Sequence, residues 1–205
     1  MIELYTWGTP NGKKASIMLE EIDLPYEVHP INLRKREQFS PEFLAISPNN
    51  KIPAIIDRDG PGGKPLTLFE SGAILIYLAE KTGKLLSKDP GKRYQTLQWV
   101  MFQMGGVGPI FGQVHYFLGA DEKVPQAIAR FKKETSRLYA VMEKHLANHE
   151  FFVDEYSIAD IAIHPWVGRY ERHQVDLSDF PSVNRWFDAV SARPAVQRGN
   201  TVPKV

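Results

Sequence analysis

Strand-like runs are confined to the first seventy residues of this chain, and helical periodicity fills most of the remainder. The runs "IELYTW" (2–7), "PYEVHPINL" (25–33), "KIPAIID" (51–57) and "LTLF" (66–69) are short and rich in β-branched and aromatic residues, which predicts four strands. Between the first two, Ile17, Met18 and Ile22 recur at helical spacing and predict a helix over 13–22. "SPEFLAISP" reads as a short helix opened by Ser40 with Pro41 at its first position. Glu70 to Lys81 predicts another, with Ile74, Tyr77 and Leu78 on one face and Gly83 as its stop. The order is β-α-β followed by β-β-α.

Beyond "SKDPGK" (87–92) every periodic segment is helical. Tyr94 to Phe117 reads as one long helix interrupted at Gly105-Gly106-Val107-Gly108-Pro109. Pro125 to Leu146 is the clearest helix, with Ile128, Phe131, Thr135, Leu138 and Met142 stepping by three and four. Ser157-Ile158-Ala159-Asp160 has the form of a capping box with Asp in place of Glu. Pro181 to Ala192 reads as a last short helix. The expected division is an α/β domain over 1–83, a linker over 84–90 and an all-helical domain over 91–205.

Composition narrows the chemistry. With no cysteine, the chain has no disulfide, no thiolate metal site and no redox thiol of its own. A net charge of +1 gives no global field for nucleic acid or anionic membrane, and the largest basic cluster is Arg34-Lys35-Arg36. No secretory signal is read at the start and no window is apolar enough for a membrane span, so a cytoplasmic protein is expected. His145 and His149 are four apart, but "HLANHE" lacks the inner Glu of a zinc-helix motif and reads as surface histidines. No metal site is expected.

Three short stretches have ligand-binding chemistry beside a plainer structural reading. Ile52-Pro53 precedes a strand, where a cis peptide in a tight turn or an ordinary trans proline would both serve. Glu70 and Ser71 stand at a helix start, where unpaired N–H groups welcome a carboxylate and Glu70 can pair with an ammonium; simple capping by Ser71 is the alternative. Thr9-Pro10-Asn11-Gly12 joins the first strand to the first helix, either as a plain turn with Asn11 as N-cap or as a set of donors. Trp99, Phe102, Phe111, Tyr116 and Phe117 beside the glycine-rich kink read as core or as a wall for an apolar ligand or partner.

Taken together, "TPNG", "SPNNKIPAI", "LFESGAILIYLAEKTG", "GGVGP" and "YSIADIA" resemble the glutathione S-transferase superfamily over essentially the whole chain. The resemblance implies a thioredoxin-like amino-terminal domain and a helical bundle. The "TPNG" turn, where other classes carry a catalytic Tyr, Ser or Cys, is similar to the nu-class branch of disulfide-bond oxidoreductases. That likeness implies a homodimer binding glutathione or its disulfide, with glutathione-dependent disulfide reduction as its activity. Conjugation of small electrophiles or peroxide reduction is the alternative, and a non-catalytic regulatory domain a second. Carried onto this sequence, it puts Thr9 and Asn11 at the glutathione sulfur and Gln38 and Lys51 at the glycyl end. Ile52, before Pro53, serves the cysteinyl portion, Glu70 and Ser71 the γ-glutamyl head, and Arg130 a further contact with glutathione.

The absent cysteine then has a consequence. A thiol–disulfide exchange needs sulfur on both partners, and the protein supplies none, so both sulfurs must come from ligands. Thr9 and Asn11 cannot act as bases near neutrality. Their expected work is to stabilise a glutathione thiolate.

Overall fold

The computed structural model describes residues 1–204 and divides into two compact units. The first comprises 1–86 with the stretch from Ala192 on, and the second 87–191. The carboxy-terminal stretch groups with the α/β unit, whereas chain order alone puts 91–205 together.

In the first unit, β1 (Ile2–Thr6), β2 (Tyr26–Pro30), β3 (Ala54–Asp57) and β4 (Leu66–Phe69) form one sheet in the order β2-β1-β3-β4. β1 and β2 are parallel, while β1–β3 and β3–β4 are antiparallel. Helix α1 (Pro10–Ile22) makes the crossover that a parallel pair requires. Pro10 takes the first helical position, where its missing N–H costs nothing. α2 (Pro41–Ile46) is capped by Ser40, whose hydroxyl accepts the Phe43 N–H at 3.2 Å. α3 (Ser71–Thr82) ends at Gly83 in the left-handed region (φ 69°), as the sequence predicts.

The sequence reading ends the helices near 192, but a further helix, α9 (Pro194–Asn200), lies beyond it. It packs on α1 through Gly199, where an added Cβ would stand 2.5 Å from the Ile17 Cα. Glycine is therefore what permits the approach. The Ser16 hydroxyl donates to the Gly199 carbonyl at 2.7 Å, and Arg193 forms a two-pronged pair with Glu21 at 2.7 and 2.9 Å.

The second unit contains α4 (Pro90–Phe102), α5 (Gly108–Gly119), α6 (Pro125–Leu146), α7 (Ile158–Val167) and α8 (Pro181–Ser191). The interruption expected at the glycines is a π-helical turn over Gln103–Val107, so α4 and α5 join without a break in helical hydrogen bonding. The capping box is present. Ser157 N–H donates to Asp160 at 2.9 Å, and the Ser157 hydroxyl accepts the Ala159 N–H at 3.2 Å. Asp160, fully buried, also accepts from the Ser157 hydroxyl, Phe152 N–H and Trp186 Nε1. Four donors on one carboxylate explain why a charge at that depth is tolerated.

Candidate functional site

Sheet register brings the separate sequence motifs of the first unit to one end of the sheet. Tyr5 on β1 pairs with Ala54 on β3, and Ala54 pairs with Phe69 on β4. The turn Thr9–Gly12 leaves that end of β1, Ile52 and Pro53 enter it immediately before β3, and Glu70 and Ser71 leave it immediately after β4. β2 runs parallel to β1 and ends opposite Thr6 at Pro30, so the segment that carries Gln38 departs from the same end.

Each motif has a local reason for its shape. Thr9 caps α1: its hydroxyl accepts the Gly12 N–H at 3.2 Å while its proton remains available to donate elsewhere. The cap is thus Thr9, not Asn11, which lies one residue into the helix. Gly12 is required, because a Cβ there would collide with the Trp7 carbonyl and lie 2.6 Å from the Thr6 hydroxyl. The Ile52–Pro53 peptide is cis. The Ile52 side chain is buried in a cluster with Phe43 and Ala54, against which Tyr5, Trp7 and Ile31 pack. Its backbone stands outside the β1–β3 pairing. Lys51 is exposed, and its carbonyl accepts the Ser47 hydroxyl at 2.8 Å. Gln38 lies on a single 3-10 turn, Glu37–Phe39, with its Oε1 buried.

The start of α3 is unusual in two ways. Its N-cap, Glu70, makes no side-chain capping bond, and Glu70 adopts φ 71°, ψ 112°. A non-glycine residue held there costs on the order of 1–3 kcal/mol, a cost that recurs at ligand sites. Ser71 is the first helical residue, and its hydroxyl accepts a bond from Lys14 Nζ at 3.2 Å. The α3 amino terminus thus has no cap from the Glu70 side chain, and that carboxylate is exposed beside it.

Lys14 was not among the residues that sequence reasoning singled out. It is wholly buried on α1, and burial pulls its amine down to about 7 against the opposing pull of the Glu70 charge. Its spacing held a signal: Lys14, Met18 and Ile22 step by four along the buried face.

Arg130 lies exposed on α6 in the second unit, where its charge helps hold the Glu134 carboxyl below its usual range behind the larger effect of Arg137. Of the aromatic set near the π turn, Trp99 and Phe111 are buried and Tyr116 is exposed, so only part of that set is core. His145 and His149 stack with ring centroids 4.2 Å apart. His145 Nε2 lies 3.1 Å from the Phe152 carbonyl, so it is partly built into the unit and not purely a surface residue. The described residues contain no group of three or more His, Cys, Asp or Glu placed to hold a metal ion.

The first unit is a thioredoxin-like sheet with a helix-capping turn at the end of one strand and a helix without a Glu70 side-chain cap at the end of another, the amino-terminal fold of the glutathione-transferase class. Residues 1–80 match the family described as glutathione S-transferase, N-terminal domain, and residues 109–194 its C-terminal domain. The chain belongs to the glutathione S-transferase family. It is 52% identical over 198 residues to the disulfide-bond oxidoreductase YfcG of Escherichia coli, covering 95% of this chain and 92% of that protein. It is 42% identical to the disulfide-bond oxidoreductase YghU of the same organism, over 98% of this chain and 74% of that protein. Among solved structures, a Pseudomonas putida glutathione transferase with one glutathione disulfide bound per subunit superposes with a TM-score of 0.96. The two are 52% identical, over 98% of this chain and 91% of that one. A Burkholderia graminis glutathione transferase with two glutathione molecules per subunit gives 0.94 at 50% identity, over 99% and 88%.

Proposed function

We propose that this protein is a glutathione-dependent thiol–disulfide oxidoreductase that binds both reduced glutathione and glutathione disulfide. The observation that carries the reading is a donor turn at the thioredoxin-like position in a chain without cysteine. The similarity to proteins named disulfide-bond oxidoreductases supports it. The protein is read as a nu-class enzyme, cytoplasmic and homodimeric, in two domains.

In this reading Thr9 and Asn11 act at sulfur, Ile52 offers main-chain bonds to the cysteinyl portion, and Gln38 and Lys51 meet the glycyl carboxylate. Glu70 and Ser71 take the γ-glutamyl ammonium and carboxylate, and Arg130 adds a contact with glutathione. A free thiol with pKa near ~8.5 is only a few per cent thiolate at neutral pH. Donors from Thr9 and Asn11, with the positive end of α1, favour the anion. The thiolate attacks one sulfur of the substrate disulfide, forming a mixed disulfide and expelling the other sulfur as thiolate, which takes a proton. A second glutathione thiolate attacks the glutathionyl sulfur of the mixed disulfide and releases the second substrate thiol. Two glutathiones lose two electrons as glutathione disulfide, and one substrate disulfide gains them.

Turnover of a small disulfide with glutathione, beside conjugation of a chloronitroaromatic, tests the proposal. Disulfide turnover exceeding conjugation is expected. Conjugation alone would place the protein with the conjugating transferases, and failure of both, with no glutathione binding, would make it a scaffold.

A further inference from the structure

The second unit has a cleft of about 220 Å³ that the chemistry at sulfur does not use, between α4, α6 and the stretch 152–154. Trp99 and Phe152, with ring centroids 4.9 Å apart, supply its aromatic wall, and His145, His149 and Asp154 line it beside them. The two imidazoles have fixed tautomers. His145 Nε2 lies 3.1 Å from the Phe152 carbonyl, and His149 Nδ1 lies 2.8 Å from the His145 carbonyl. A carbonyl only accepts, so each of these nitrogens carries the hydrogen. The opposite nitrogens, His145 Nδ1 and His149 Nε2, keep their lone pairs, and neither has a protein partner among the described residues. Burial, then the neighbouring His149, holds the His145 imidazole below its ordinary range, so this ring is neutral and accepting near pH ~7.

Two lone pairs and a carboxylate suit a metal ion or an organic donor, and the rings decide between them. They lie nearly parallel, at 7°, with centroids 4.2 Å apart. A metal ion must sit about 2.0–2.1 Å from each nitrogen and close to the plane of each ring, and parallel rings at that separation share no such point. The charged groups around the cleft favour a cation. Asp154 pairs with Lys92 at 3.0 Å, and Asp89 and Glu155 act on that same ammonium, three carboxylates to one. Arg185 is committed to the Leu146 and His149 carbonyls. We propose that this cleft binds a small, flat organic cation of the amidinium or guanidinium class, which donates N–H bonds to His145 Nδ1, His149 Nε2 and Asp154 while its apolar part lies against Trp99 and Phe152. The volume is below that of drug-sized pockets, so the ligand is of one-ring size. The inference is independent of the glutathione reading.

Benzamidine, a flat one-ring amidinium, is the probe. Titrated into the protein at pH ~7 and followed by NMR of the imidazole ring protons, it is expected to shift the signals of His145 and His149 and to bind with a Kd of about 1 mM or tighter. Benzamide, of the same shape without the charge, is expected to bind about tenfold more weakly, and benzoate not at all. His149→Phe keeps a ring in the stack and removes one acceptor, and Asp154→Asn removes the carboxylate charge. Each is expected to weaken benzamidine by about three- to tenfold. At pH ~5.5 the imidazoles take up protons and become donors, so binding is expected to fall severalfold. No shift of either histidine with benzamidine would overturn the inference. So would benzamide or benzoate binding as tightly as benzamidine, unchanged affinity in both variants, or equal or tighter binding at pH ~5.5. The wild-type arms require no variant to fold.

Discussion

The Thr9 hydroxyl accepts the backbone N–H of Gly12 at 3.2 Å, so one side chain both starts α1 and faces the turn where the sulfur of glutathione is proposed to lie. Asn11 does not serve as the cap. The two residues are therefore separable by experiment. Thr9→Ala is expected to lose about 1 kcal/mol of stability through the missing cap. Asn11→Ala is expected to cost stability less than about 0.5 kcal/mol but to slow disulfide turnover about tenfold or more. Urea unfolding and turnover, measured on both variants, check the split.

Gly12→Ala tests how tightly the turn is built. The added methyl meets the Trp7 carbonyl and the Thr6 hydroxyl, and neither is the end of a long flexible side chain. A loss of roughly 1–3 kcal/mol is expected, as for other overpacked sites, together with loss of glutathione binding. Full stability by thermal unfolding would mean that the strand–helix turn is looser than these distances require.

Lys14 also sets a pH dependence of stability. Its folded value of about 7 lies below the 10.5 of a free lysine, so between these limits the unfolded chain holds more protons than the folded one. Stability therefore rises with pH across this window through this group and is flat below it. The difference between wild type and Lys14→Met is expected to move in favour of wild type by roughly 2 kcal/mol from pH ~7 to ~9. Denaturant midpoints at several pH values check it; a constant difference would contradict it.

His173 acts on the acid side. It is buried against Phe111, and burial, then the charges of His115 and Arg169, hold it at about 4, below the 6.5 of a free imidazole. The unfolded chain takes up the proton first, so this contribution is complete above 6.5 and lost as pH falls towards 4. His173→Phe is expected to be less sensitive to acid than wild type over that range, by roughly 2 kcal/mol. Unfolding curves at pH ~7 and ~4.5 give the comparison.

Much of this was legible in the sequence because the signals are local. Ser157 and Asp160 announce their capping box at fixed spacing, and Gly83 marks the end of α3. The four strands follow from short apolar runs between turn residues. What escaped depends on tertiary contact. The seven residues of α9 carry little periodicity and are held by the Gly199–Ile17 approach and the Arg193–Glu21 pair, distant in sequence. Lys14 reads as a surface residue by type, yet it is buried and bonded to Ser71, distant in sequence. Ser71 looked like a cap because it begins a helix; it is the first helical residue, and its hydroxyl accepts a bond from Lys14. Gly105–Gly108 signalled an interruption, but whether the backbone breaks or takes a π turn lies beyond composition.

The most direct measurement is the ionisation of bound glutathione, followed by ultraviolet thiolate absorbance across pH in wild type and Asn11→Ala. The bound thiol of the wild type is expected to titrate at least one unit below the ~8.5 of a free thiol, and the shift to shrink in Asn11→Ala. A bound thiol that titrates at its free value in the wild type would contradict the claim that this cysteine-free turn works by holding its ligand's sulfur as an anion.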